Sequence, residues 1–314
     1  MNTVRFLAAA LALGAIAVWG SEIAFWTMPP GPVSAVDMGM TWLAYSLCCA
    51  CGLGALLVSG ARGAGGVFLA GALLGWLIEG AIVSTMYAAF PLQLVWTGLA
   101  WHALITAAGV LGLGRAAVHW PVRRQIALLV TAGLGFGVWG WYWPVERPVL
   151  PGLVGVLAYL AGFGLAVPIA NMALDRLSPL VRPAWPTLAL PWIIVSAVWA
   201  IQSLADPTPV RLALPVLLGL TIWSMVQGGR VHRGEALCFG PPAPLWRHAL
   251  FLLVPVVAAL VTVTGWRWFG AVPVNIPVAL ATGSIGLGLW LRLLWRAYRL
   301  RSAARAEERS IAPS

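Results

Sequence analysis

Runs of about twenty apolar residues, separated by short polar breaks, recur along this 314-residue sequence. Ten can be marked, near residues 5–27, 38–58, 66–87, 92–114, 123–143, 150–173, 186–204, 210–229, 246–268 and 273–297. A helix rises about 1.5 Å per residue, so each run is long enough to cross the hydrocarbon core of a bilayer. No water reaches the backbone there, and a lone segment can close its hydrogen bonds only as a helix. The sequence therefore predicts an all-α, polytopic transmembrane helical bundle of about ten spans. Only 9% of residues are charged and 61% are hydrophobic, whereas a soluble domain carries about 25% charged residues.

The net charge is +10, and every basic side chain is Arg. A basic chain can bind nucleic acid, but here topology accounts for the charge and nucleic acid is not an expected partner. Arg5, Arg62, Arg115, Arg123, Arg124, Arg176, Arg182, Arg230, Arg233, Arg247 and the tail arginines fall on one side of the ten spans. Only Arg147, Arg211 and Arg267 fall on the other. The positive-inside rule then puts both termini in the cytoplasm, which requires an even number of spans. Lysine is absent while Ala, Gly, Pro, Trp and Arg abound, as in a high-GC bacterial genome; the expected location is the bacterial inner membrane. Arg5 precedes the first apolar run, which continues through its small-residue triplets to the Trp26-Thr27-Met28-Pro29 break, so that run reads as an uncleaved first helix. Residues 1–299 form a single transmembrane domain, and 300–314 a cytoplasmic Arg-rich tail suited to anionic lipid.

The pair of helices from about 66 to 114 carries the chemistry. Glu79 stands in the first and His102 in the second, about 11 residues before and 12 after a turn near Phe90. If both arms were helical, the two groups would lie roughly 16 and 18 Å below the turn, at nearly one depth. A carboxylate in mid-bilayer costs roughly 2.5–3.5 kcal/mol even on the mildest scale, so a partner or wet cavity is expected. Glu79 and His102 are thus the candidate proton-carrying or acid/base pair. Tyr87, Trp101 and Trp76 are the candidate substrate contacts, Tyr87 standing two turns beyond Glu79 on nearly the same face.

Other groups are weighed more simply. Cys48, Cys49 and Cys51 share a depth and could join Glu79 and His102 around a soft metal, but small apolar filler is the preferred reading. No metal and no cofactor are assigned. Asp37 is read as the N-cap of the second span, and Asp206 with Arg211 as a solvated pair. Glu22 lies near the outer end of the first span. Gln202 and Asn275 are outer-half polar groups. Gly71/Gly75 and Gly133/Gly137 mark close helix contacts. Trp26, Trp139, Trp141, Tyr142, Trp143, Trp266 and Trp268 form an interfacial aromatic belt. Signatures of zinc proteases (HExxH), serine hydrolases (GxSxG), P-loop enzymes and CAAX-type membrane proteases are missing.

The piece Ala17-Val18-Trp19-Gly20-Ser21, followed by Met28-Pro29-Pro30-Gly31-Pro32, resembles the first helix and following turn of the drug/metabolite transporter (EamA-type) superfamily. The ten-span size and a five-plus-five division, inverted because each half is odd, resemble it too. The resemblance implies a small-molecule secondary transporter in which the third and fourth helices line a central cavity, so that Glu79 and His102 would face substrate or protons. The long loop between the eighth and ninth spans departs from the compact family pattern. Two other readings fit the same residues. One is an intramembrane enzyme acting on a lipid or isoprenoid, with Glu79 and His102 as its acid/base pair. The other is an accessory membrane subunit. The bilayer is the expected partner in all three.

Overall fold

The structure is a computed structural model and describes residues 1–31 and 34–311. The last residue of the expected Pro-containing turn, Pro32, and tail residues 312–314 lie outside these. Ten helices are long and apolar enough to cross a membrane. They are α1 (Asn2–Trp26), α2 (Ala35–Ser59), α3 (Gly63–Ile82), α4 (Leu94–Ala117), α5 (Val122–Val145), α6 (Leu153–Leu177), α7 (Trp185–Ala205), α8 (Pro209–Gly228), α9 (Leu245–Phe269) and α10 (Asn275–Arg305). No β-strand occurs among the described residues, only one isolated bridge between Leu180 and Leu237. The chain is an all-α, multi-pass membrane protein.

The helix ends follow local chemistry. α2 starts on a capping box: the Ser34 hydroxyl accepts from the Asp37 amide while the Ser34 amide donates to the Asp37 carboxylate. Ser34, not Asp37, is therefore the N-cap. α3 stops at Ile82, five residues short of the expected end. Ser84 adopts a left-handed backbone (φ +60°), and Thr85–Tyr87 then form a short 3₁₀ turn. The final helix runs straight on to Ile311, so the tail through that residue continues α10.

α1–α4 form a closed ring, α1 on α2, α2 on α3, α3 on α4 and α4 back on α1. Gly71 and Gly75 make the α3–α4 contact possible. A Cβ on Gly71 would stand 2.3 Å from Ala107 Cβ, and one on Gly75 would stand 2.6 Å from the Gly98 carbonyl oxygen. Gly133 and Gly137 do the same for α5 against Val257 and Val261 of α9. Around the ring, α4 packs on α10, α5 on α9, α1 on α6, α2 on α7 and α8, and α3 on α7 and α8.

The two faces of the bundle are built differently. On the face that carries the termini, the 229–244 segment lies across the helix ends. Its backbone is tied to Arg62 through Glu235 and Ala236, to Leu180 through Leu237, to Arg115 and Ser178 through Phe239, and to Asp175 through Ala243. Asp175 also bonds Arg115 and, at 2.8 Å, His248 Nε2, and all three side chains are buried. On the opposite face an aromatic plug fills the bundle. Phe25 meets Trp101 edge-on (centroids 4.8 Å apart), and Trp26 stacks on Trp143 at 4.9 Å. Trp139 and Trp143 are buried to 3% and 2% exposure, whereas Trp268 is 78% exposed. The expected lipid-facing belt is thus mostly an internal cluster. Three of its indole N–H groups bond carbonyls of other helices: Trp139 to Phe25, Trp141 to Val261 and Trp266 to Gly140.

Candidate functional site

Glu79 and His102 meet. His102 Nε2 lies 2.9 Å from Glu79 Oε1, and both side chains are largely buried. The other ring nitrogen, Nδ1, lies 2.9 Å from Ser21 Oγ, which is 3.0 Å from Thr106 Oγ1. The second oxygen of Glu79 accepts from the Thr85 hydroxyl. With Glu79 ionised, one hydrogen assignment satisfies the whole string. Thr106 donates to Ser21, Ser21 to Nδ1, and Nε2–H to Glu79. Beside it the Tyr45 hydroxyl donates to Glu22 Oε1 at 2.6 Å, and Trp26 Nε1 donates to Glu22 Oε2 at 3.2 Å. The Tyr45 ring lies 5.9 Å from the imidazole, centroid to centroid.

Three stretches of π-helix carry this constellation. Ser21 and Glu22 lie in Trp19–Ile23, Glu79 in Ile78–Ile82, and His102 with Thr106 in Leu94–Leu113. Hydrogen bonding from i to i+5 widens a helix and turns side chains away from their α-helical directions, a device frequent at functional sites. Small residues let the helices close on it. A Cβ on Gly20 would press on Thr106 at 2.8 Å, and one on Gly75 on His102 Cβ at 2.8 Å. Trp101 bonds the Gly20 carbonyl at 3.0 Å, fixing the widened turn of α1 against α4.

The depth differs from expectation. Glu79 stands three residues before the end of α3, and Thr85 folds back onto it. The 11 residues between Glu79 and Phe90 are not all helical, so counting 1.5 Å for each overstated the burial. The site lies toward the face opposite the termini, level with the outer part of α4.

A cavity of about 700 Å³ occupies the centre of the α1–α4 ring. Its shaft is apolar, with Leu13, Ile16, Leu53, Val67 and Leu74 among its walls, and its mouth lies among Arg62, His119, Cys238 and Phe239 on the terminal face. Thr106 lines it; Glu79, His102, Ser21 and Glu22 do not. The carboxylate and imidazole therefore stand behind the cavity wall, joined to it through two hydroxyls.

The three expected substrate contacts lie elsewhere. Trp76 bonds the Leu94 carbonyl and packs edge-on against Trp290. Trp101 belongs to the aromatic plug. Tyr87 donates to the Gly80 carbonyl, accepts from Trp199 and lies under the Arg211 guanidinium at 4.7 Å; burial pushes its phenol up. None of the three lines the cavity. Arg211 is buried rather than solvated, held by Asp206 at 3.1 Å and by Ser84. Cys48, Cys49 and Cys51 are buried in α2, with Cys49 on the cavity wall. Among the described residues, no three His, Cys, Asp or Glu side chains gather where they could hold a metal ion.

Sequence reasoning missed Ser21, Thr106, Thr85 and Tyr45 as members of the site, and noted Glu22 only by its place near the outer end of α1. One signal was available: Thr106 follows His102 by four residues, the spacing of one helical face. No protein-family model, curated protein or solved structure matches this chain.

Proposed function

We propose that this protein is a small-molecule secondary transporter of the bacterial inner membrane, caught open to the cytoplasm, with Glu79 and His102 as its proton-carrying pair. One observation carries the reading. A ligand-sized cavity opens on the terminal face, and its inner wall is hydrogen-bonded, through Thr106 and Ser21, to a buried acid–imidazole pair. An acid/base catalyst must reach the proton it moves, and here neither group borders the cavity, so the geometry favours relay over catalysis on a bound lipid. An accessory subunit has no need of the cavity.

The packing of the halves supports the resemblance to the drug/metabolite transporter superfamily. Exchanging α1–α5 with α6–α10 maps the α4–α10 contact onto α9–α5, α3–α7 onto α8–α2, and α1–α4 onto α6–α9. The α1–α6, α2–α7 and α3–α8 contacts map onto themselves. The intra-half contacts break this symmetry: α1–α2 and α3–α4 are close, while α6–α7 and α8–α9 barely touch. A repeat whose halves hold different packings is what alternating access requires. The arginine asymmetry makes the terminal face cytoplasmic.

Counterflow of labelled apolar and amphipathic solutes in proteoliposomes tests the reading, with chemical change of each solute measured in the same samples. Exchange of an unaltered solute is expected, lost in Val67→Trp, which fills the shaft. A chemically altered solute, or full exchange by Val67→Trp, rejects it.

A further inference from the structure

The string from Thr106 to Glu79 has two ends in different places. Thr106 borders a cavity that opens at the terminal face. Glu79 ends the string beside Thr85, an exposed residue in the turn on the opposite face. Between them no heavy-atom gap exceeds 3.0 Å: 3.0 Å from Thr106 to Ser21, 2.9 Å from Ser21 to His102, and 2.9 Å from His102 to Glu79. Each link is a group that can hold one proton while giving up another.

We infer that Thr106, Ser21, His102 and Glu79 form a proton path linking the cytoplasmic cavity to the opposite face, so that the coupling ion of the transporter is H⁺. The inference rests on the transporter reading for its purpose, but its geometry is independent of the solute. The transfer balances. A proton from cavity water binds Thr106 Oγ1, and the original hydroxyl proton of Thr106 passes to Ser21. The Ser21 proton passes to His102 Nδ1, and the Nε2 proton passes to Glu79 Oε1. One proton has entered, three have shifted, the imidazole has exchanged tautomer without gaining charge, and Glu79 has become a carboxylic acid. Glu79 releases its proton on the Thr85 side. A second transfer in the same direction then requires both hydroxyls to rotate and the imidazole to return to its first tautomer. That reset gives a conformational cycle something to control.

The alternative sinks for the proton can be named. From α1 Glu22, and from α2 Tyr45, flank the imidazole, but they bond each other, and Glu22 also accepts from Trp26. From α8 the nearest charge is Arg211, paired with Asp206 on the Tyr87 and Ser84 side. None of these groups interrupts the Thr106–Glu79 string.

The test uses full-length protein oriented in proteoliposomes, with a caged proton released on one side and the carboxylic acid infrared band followed in time. Glu79→Gln identifies the band. Release on the terminal side is expected to raise the Glu79 band in the wild type and in Thr106→Ser, which keeps the hydroxyl. Thr106→Val and Ser21→Ala should slow it by about a hundredfold, the low end of what one positioned proton-transfer group contributes. An unchanged rate in Thr106→Val, a band that stays silent, or one that answers only to release on the opposite side overturns the path. Solute counterflow that persists while the band fails removes the path and leaves the transporter. Loss of counterflow with a responsive band does the reverse.

Discussion

Tyr45 and Glu22 bond at 2.6 Å on the flank of the same imidazole that bonds Glu79, so two carboxylates stand around one histidine. The pairing keeps Glu22 out of the string, because the phenol and the Trp26 indole between them occupy both of its oxygens. Tyr45→Phe removes one donor and leaves the acid half-satisfied in a buried pocket. A loss of about 1–3 kcal/mol is expected, read as a lower thermal midpoint in detergent by tryptophan fluorescence. Adding Glu22→Gln should recover part of it, and strictly additive effects would show that the two residues do not act as a unit.

His102 should matter more to stability than Glu79. His102→Ala leaves the Glu79 carboxylate and the Ser21 hydroxyl without their shared partner, and opens a gap where the ring was. Glu79→Gln keeps a carbonyl acceptor for His102 Nε2–H and turns the other position into an amide donor, which the Thr85 hydroxyl can accept by rotating, at nearly the same volume. About 3 kcal/mol or more is expected for the first and about 1 kcal/mol for the second. Unfolding midpoints in one detergent check the order, and a Glu79→Gln protein weaker than His102→Ala would contradict it.

How much of this was legible in the sequence depends on what each residue costs in a bilayer. The ten spans were legible because apolar length is dictated by membrane thickness, and eight of the ten observed helices start and end within a few residues of the expected runs. The end of α3 failed because a left-handed Ser84 leaves no composition signal, and α10 overran its expected end because the Arg-rich tail continues the same helix. Glu79 and His102 stood out because ionisable groups in a span are expensive. Ser21 and Thr106 did not, since hydroxyls are cheap in helices, where they can bond a backbone carbonyl of the preceding turn. Glu22 was placed correctly near the outer end of its span but not joined to the site, because three π-helical stretches alter which residues face one another and hydrophobic periodicity assumes 3.6 residues per turn. Arg115, Asp175 and His248 were hidden by their position at span ends, where topology alone seemed to explain a charge.

That last group makes its own prediction. Asp175 neutralises Arg115, bonds His248 and holds the Ala243 amide, so it ties the 229–244 segment to the ends of α4, α6 and α9. Asp175→Ala leaves a buried guanidinium without its counter-ion, at an expected cost of about 3–5 kcal/mol. It should also loosen the segment, which exposes Arg230 and Arg233. Trypsin added on the terminal side should then cleave there several-fold faster than in wild type. Asp206→Ala, at the opposite face, should leave that rate unchanged. Equal cleavage of wild type and Asp175→Ala would mean that the segment is held by its other contacts.

Gly75 gives the sharpest separation of packing from chemistry. It lies four residues before Glu79 on α3, and an added methyl would stand 2.8 Å from His102 Cβ and 2.6 Å from the Gly98 carbonyl oxygen. Backbone cannot yield there as a flexible side chain would, so Gly75→Ala must push α4 outward and carry the imidazole away from Glu79. A loss of about 1–3 kcal/mol is expected, together with slow protonation of Glu79, although no proton-carrying residue has been altered. Gly135→Ala is the control, because a Cβ there meets nothing within 4 Å. If Gly75→Ala unfolds early yet protonates Glu79 at the wild-type rate, the α3–α4 spacing sets stability alone. If both change while Gly135→Ala stays wild-type, the close approach of these two helices is what holds the acid to the imidazole.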